Sequence, residues 1–526
     1  MAVPDSREES GGAEPAARRL SRFLTPAAVL VCVALLAWLQ FSFSGMPDGD
    51  SYFHTRAARE LAKHGFQRQF PQTAFSTWTD RYADKDLLFH ALLIPFQLAV
   101  PGSASAAGGE DLVTPGKVAI VALALLFLAA LAFALQSTGA MLPWLWVLLL
   151  FFMDLAVLRG LLAVRPGILG AAFVLVEIVF LLRKEPGRLA IAGALHTYAH
   201  SSFALLPGLA LAVAAAHGLR REKFPVRLLG AALAGPVAAS ILNPYFPNNL
   251  LVAWDQLVEV AFGVWWQHAA VPVELFGSEL TGALTSNLLS SFAAFLPAAG
   301  AMVVFLADAR RRVSTEGLSL LMVCGFLLVP SFLSARFLQF FFPATVLLGA
   351  RLWRELLGGG TLREARQRDP RTFRLAAGLV LVSLAGGLAH GTVFALRGEV
   401  ASMTTAEVQR PAIEFLKKTA APGDLVYHNF WWDFSALYHY RPEGRYVVAL
   451  DPVFFYRGDP VRFRKSLEAY RGELKDLYRV LKDDFGARWV YIAKGPRNRP
   501  LFDLMVADGH FQKAYEDDFV VIARLP

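Results

Sequence analysis

The sequence predicts a polytopic α-helical membrane protein of about 11 spans with a soluble α/β domain at its C-terminus. Three observations lead there. Of the 526 residues, 55% are hydrophobic and only 18% charged, a more apolar balance than soluble domains show. The apolar residues come in long runs separated by short Arg clusters, the pattern of membrane helices joined by cytoplasmic loops. From about residue 399 the chain changes to mixed charged and apolar residues. This composition excludes a disordered chain and a disulfide scaffold, since Cys32 and Cys324 both lie inside apolar runs. The net charge of +8 is carried by the inter-run clusters, so it marks topology, not nucleic-acid binding.

Residues 1–22 read as a disordered cytoplasmic tail, rich in Ser, Glu, Gly and Ala and ending in Arg18, Arg19 and Arg22. The first span follows at 23–43; it is too long for the apolar core of a cleaved signal peptide and reads as an anchor. Further spans are expected at 117–136, 142–158, 163–182, 226–243, 287–306, 317–334, 336–353 and 374–396. Two shorter arms over 189–217 meet at His196–Ser202. The run Leu87–Val100 rises only about 21 Å as a helix, short of a hydrocarbon core of about 30 Å. Charge parity makes it interfacial. If it does not cross, Arg183-Lys184, Arg220-Arg221-Lys223, Arg310-Arg311-Arg312 and the basic stretch 351–374 all face the cytoplasm; if it crosses, all face outward. The membrane domain is therefore 23–398, with a large outer loop at 45–116, an outer turn at 159–165 and a second outer loop at 244–286.

The outer C-terminal domain spans 399–526. Thr404 and Glu407 fit a capping box. Residues 424–428, 445–451, 489–493 and 519–523 read as strands, and Asp459-Pro460 opens a long helix expected to reach Asp484.

The residues able to carry chemistry gather at the outer face. Asp48 and Asp50 stand at the mouth of the first outer loop, with His54 one helical turn on and Arg56 beside it. A carboxylate there suits a general base or a divalent-ion ligand, and an ordinary N-cap equally. Asp84 and Asp86 fit either a site or a solvated face before the interfacial helix. Arg165, before Pro166 at the outer turn, and Arg336, opening an apolar helix, suit phosphate contacts or snorkelling. His196 and His200 have metal-ligand spacing, but a satisfied packing pair is the better reading. Trp431, Trp432 and Asp433 follow a strand and suit a binding surface or core packing. No Gly-rich phosphate loop opens a helix.

These residues resemble, in order, the motifs of the catalytic subunit of oligosaccharyltransferases, within the GT-C class of membrane glycosyltransferases. Asp50-Ser-Tyr-Phe-His-Thr-Arg56 resembles the family's metal-binding aspartate segment. Ser334-Ala-Arg-Phe337 resembles its lipid-phosphate arginine segment, and Trp431-Trp432-Asp433-Phe434 its acceptor-reading WWDYG motif. The resemblance implies a GT-C-like fold in the plasma (inner) membrane, with the active site and C-terminal domain on the outer, periplasmic face. It implies a polyprenyl-(pyro)phosphate-linked sugar donor meeting Arg336 and Arg165. It further implies a divalent cation (Mg or Mn) on Asp50, and an acceptor protein, lipid or glycan held at Trp431, Trp432 and Asp433. The sequence departs from the family in three places. Phe434 and Ser435 replace Tyr and Gly, the turn 159–169 lacks the family's acidic pair, and the catalytic glutamate has only Glu259, Glu274 and Glu279 as candidates. Two alternatives stand beside this reading: a GT-C enzyme using a polyprenyl-phosphate monosaccharide on a lipid or glycan, and a lipid-sugar flippase.

Overall fold

The computed structural model describes residues 13–100, 110–153, 155–260, 292–307, 312–357, 366–367, 369–396 and 406–526. Thr404, Glu274, Glu279, Arg310 and Arg311 lie outside these residues, as does most of the second outer loop.

Among the described residues, four helices are long and apolar enough to cross a membrane: Phe23–Phe41, Val113–Ser137, Ser201–Leu219 and Thr315–Phe332. Several of the other expected spans are shorter helices, including Gly167–Leu182 and Arg227–Ile241. At 1.5 Å per residue these fall short of the hydrocarbon thickness, so the eleven expected crossings are not all matched by full-length helices. The run expected at 142–158 is helical on both sides of residue 154, over Pro143–Met153 and Leu155–Leu162. The first helix begins at Ala13, inside the expected tail, because Ala, Glu, Arg and Leu there are strong helix formers. The segment expected to lie at the interface is a helix over Leu87–Ala99.

The C-terminal domain is built on a five-stranded sheet of order β2-β1-β3-β5-β4. The strands are β1 Leu425–His428, β2 Arg445–Tyr446, β3 Ala487–Ala493, β4 Gln512–Glu516 and β5 Val520–Arg524. β2, β1 and β3 run parallel; β5 runs antiparallel to β3, and β4 to β5. The strand expected over 445–451 pairs only at its first two residues; Val447, Val448 and Ala449 are buried without extending the ladder. The long helix expected to reach Asp484 stops at Arg471, where Gly472 takes the left-handed conformation (φ +76°) that glycine adopts without strain.

The first outer loop and this domain share one core. Tyr446 donates its N–H to Gln72 O (2.7 Å) and accepts from Ala74 N (2.9 Å), so the loop adds a short strand to the sheet edge. Phe53, Phe70, Trp78 and Tyr82 from the loop pack with Phe434, Tyr438, Tyr446 and Phe454 from the domain. Aromatic burial of this extent fixes the loop against the domain, and with it the start of the helix Gly49–His64.

Candidate active site

The site forms where the Gly49–His64 helix begins. Asp48 is its N-cap residue, yet its side chain makes no cap hydrogen bond. The carboxylate is taken instead by Arg165, whose Nε and Nη2 donate to Asp48 Oδ2 and Oδ1 at 2.5 and 2.7 Å. Arg165 Nη2 also lies 3.0 Å from Asp50 Oδ2. One guanidinium fork therefore spans both acidic residues. The turn carrying it is pinned to the same helix by Val164 N–H donating to Ser51 Oγ at 2.9 Å. Asp48, Asp50 and Arg165 keep 13%, 19% and 24% of their side-chain surface, so this cluster opens to solvent while its surroundings are sealed.

Trp432 arrives from the C-terminal domain. A Cβ built on Gly49 would lie 2.5 Å from Trp432 Nε1, so only glycine admits the indole between Asp48 and Asp50. Trp431 instead joins the core of the domain, its ring 5.2 Å from that of Trp432. Asp433 is buried, and its Oδ2 has no protein partner. Burial pushes its carboxyl up to about 7, against a hydrogen bond from Asn498 that favours the anion.

A second polar group lies one turn along the helix. His54 Nδ1 and His90 Nε2 share a hydrogen bond of 2.8 Å, and His90 Nδ1 donates to Asp84 Oδ2 at 2.7 Å. All three residues are buried. Burial opposes a charge on His90, but the Asp84 carboxylate outweighs it and raises the pKa above the ordinary histidine value. Burial, then the charges on His90, Lys85 and Arg165, push His54 well below it. The arrangement is an Asp–His–His chain able to carry a proton along its length. Asp86, whose N–H donates to Asp84 Oδ1, is also buried, beside Lys85 at 3.6 Å. The solvated-face reading of Asp84 and Asp86 is thus corrected: both are enclosed by the loop core.

Arg336 sits on a one-turn helix, Ala335–Phe337, with its side chain exposed. A Cβ on Gly167 would meet Gln339 at 2.4 Å, and one on Gly170 would meet Ser202 and His200 within 3 Å. The Arg165 turn, the Arg336 turn and the His200 apex are therefore neighbours. Lys85 and Arg336 both act electrostatically on His200. His196 and His200 do not form a metal pair: both bond the hydroxyl of Ser202, at 2.7 and 2.8 Å, and His196 also bonds Glu177 at 2.9 Å. Arg56 leaves the site. Its Nε donates to His439 O at 2.9 Å and its Nη1 reaches Glu110, tying the loop to the domain. Sequence reasoning missed His90 and Gly49; a lone histidine in the apolar helix Leu87–Ala99 was the available signal for the first.

The donor set does not fit the divalent cation that the resemblance implies. Among the described residues no group of three His, Cys, Asp or Glu side chains is placed to hold a metal ion. The two carboxylates that do converge at the open site already hold a permanent cation.

With this geometry in place, the chain can be set against known proteins. No protein-family model and no curated protein matches the sequence. Solved structures do match in shape. The oligosaccharyltransferase AglB from Archaeoglobus fulgidus, in complex with an inhibitory peptide and a dolichol-phosphate, aligns with a TM-score of 0.62 at 11% identity, over 94% of this chain and 73% of that one. An Archaeoglobus fulgidus oligosaccharyltransferase tethered to an acceptor peptide containing the NVT sequon aligns at 0.58 and 12% identity, over 95% and 74%. ArnT from Cupriavidus metallidurans bound to undecaprenyl phosphate aligns at 0.53 and 13% identity, over 95% and 97%. The chain has the GT-C fold these proteins share, with a C-terminal sheet domain, as the sequence led us to expect.

Proposed function

We propose that the chain is a membrane glycosyltransferase. It moves a sugar or oligosaccharide from a polyprenyl-(pyro)phosphate-linked donor to an acceptor on the outer, periplasmic face of the plasma membrane. The observation that carries this is Asp50, held by Arg165 at the solvent-open start of a helix with Trp432 packed against the adjoining Gly49. The fold supports it too, since AglB and ArnT with that fold were solved with dolichol-phosphate and undecaprenyl phosphate. An apolar cavity of about 430 Å³ at the far end of the Gly49–His64 helix, lined by Leu61, Phe66, Leu88, Ile94, Leu195 and Tyr198, suits a polyprenyl tail.

In this reading Asp50 accepts the proton from the acceptor's nucleophilic O–H or N–H. The nucleophile attacks the anomeric carbon opposite the phosphate, the carbon–oxygen bond breaks, and its electron pair leaves on the lipid phosphate. The exposed guanidinium of Arg336 meets that charge bidentately. Trp432 excludes water from the acceptor side.

The acceptor separates two versions of the reaction. Burial of Asp433 favours a lipid or glycan acceptor over a protein sequon. The deciding experiment supplies membranes with a labelled polyprenyl-linked donor pool and follows the label into protein, lipid or glycan. Asp50→Asn should lower transfer by about a hundredfold or more with expression intact. Label that only changes leaflet, without leaving its lipid, would replace the enzyme reading with a flippase.

A further inference from the structure

We infer that Arg165 is a built-in substitute for the divalent cation at this site, so that the chain works with a protein guanidinium between Asp48 and Asp50 and does not recruit Mg or Mn there. The inference deepens the glycosyltransferase reading and rests on it for the reaction, but not for the site's ion preference.

The contacts are specific. Asp48 receives two N–H donors from one guanidinium, at 2.5 and 2.7 Å, and Asp50 lies 3.0 Å from the same Nη2. A divalent ion of the magnesium type needs near-octahedral oxygen ligands at about 2.0–2.1 Å. To enter, it would have to pull the same oxygens from the fork and then sit within a few ångströms of a positive charge that cannot be titrated away. The backbone that carries Arg165 is held in place. Its neighbour Val164 is bonded to Ser51 on the acidic helix, and Pro166 restricts the Arg165 backbone from the other side.

Among the described residues, the nearby groups that would complete a coordination shell are committed elsewhere. Asp84 bonds His90 and the Asp86 backbone, His54 bonds His90, and Asp86 pairs with Lys85. The turn that holds Arg165 offers no carboxylate between 159 and 169. Arg165 performs what an ion would perform for this pair. It offsets the two negative charges, fixes the Asp50 carboxylate in one orientation and keeps a permanent positive charge at the open site. It is a positioning residue for Asp50.

The test titrates the purified full chain with Mn²⁺ and follows the free ion by its paramagnetic resonance, which needs no turnover. Wild type should show no stoichiometric site that depends on Asp50. Arg165→Glu adds a third carboxylate and should gain such a site, at least about tenfold tighter than wild type and lost again with Asp50→Asn. In parallel, label transfer by wild type should survive chelation by EDTA within about twofold, and Arg165→Lys, which keeps charge but not the fork, should lower turnover about tenfold or more. A wild-type Mn²⁺ site abolished by Asp50→Asn, or transfer lost to EDTA and restored by Mn²⁺, would overturn the inference. The wild-type titration decides even if Arg165→Glu misfolds. It also decides if no donor in the pool is used, a result that would count against the proposed reaction alone.

Discussion

Asp433 offers the sharpest test of how the C-terminal domain is built. Its carboxyl is buried and pushed from 3.8 to about 7 by burial. A rise of that size corresponds to at most about 4 kcal/mol. The sign follows from linkage. The folded state holds the proton more tightly than the unfolded chain, so the neutral acid's stability is complete below about pH 4 and is lost as pH rises to about 7. Asp433→Asn keeps shape and neutrality but cannot ionise. Wild type and variant should therefore melt alike near pH 4.5, and the variant should melt higher at pH 7.5, by several degrees. The difference between the two proteins is the quantity to follow, because His428 and His439 in the same domain run the other way. Burial lowers them to about 4 and about 3, so their contribution is lost as pH falls below the ordinary histidine value. Thermal melts of the full chain in detergent, read by tryptophan fluorescence, supply the measurement. A melting difference that does not change between these pH values would refute the sealed, protonated Asp433. A large rise in acceptor KM for Asp433→Asn, without that stability signature, would return the residue to acceptor recognition.

Three further outcomes are expected. Gly49→Ala places a methyl 2.5 Å from Trp432 Nε1 and should cost about 1–3 kcal/mol in melting measurements, with transfer falling further than protein abundance. Arg336→Lys should weaken donor use about tenfold, since an ammonium cannot reproduce the fork; an unchanged apparent donor affinity would favour snorkelling. Asp84→Asn removes the carboxylate that raises His90. That raised pKa stabilises the fold below the ordinary histidine value and is lost as pH rises, so the variant's deficit, about 3 kcal/mol in melts, should be larger at pH 5.5 than at pH 8.5.

Much of this was legible in the sequence, and the gaps have physical causes. Apolar runs and Arg clusters reveal a membrane domain because lipid imposes one composition on each helix. They do not reveal helix length, and the spans expected at 163–182 and 226–243 are helices of only 16 and 15 residues. Asp50 stood out because polar groups cluster just outside the first span, with His54 on the same helix face. Arg165 stood out as a phosphate contact, but its pairing with Asp50 was not legible, since the two are separated by more than a hundred residues and no periodicity connects them. Asp84 and Asp86 read as solvated because polarity alone suggests exposure; what buries them is His90 and Lys85 together with the aromatic loop core. β4 went unread because Gln512–Glu516 is a largely exposed edge strand with charged residues, which carries little apolar alternation.

The departure at positions 434 and 435 now has a packing explanation that bears on function. Phe434 is fully buried, stacked on Tyr438 with centroids 5.5 Å apart and the planes 6° from parallel, and it touches Phe53 and Phe70 of the outer loop. A tyrosine hydroxyl would need a partner inside this aromatic core, and leaving it unpaired would cost about 1–3 kcal/mol. Phenylalanine avoids that cost. Ser435 is buried as well, with its hydroxyl unpartnered by protein. The four residues Trp432–Ser435 thus divide. Trp432 turns toward Gly49, Phe434 turns into the shared core of domain and loop, and Asp433 and Ser435 are buried beside it. The division makes the loop's position depend on the domain's integrity, so a substitution at Phe434 should disturb Asp50 through the helix start without touching the reacting groups.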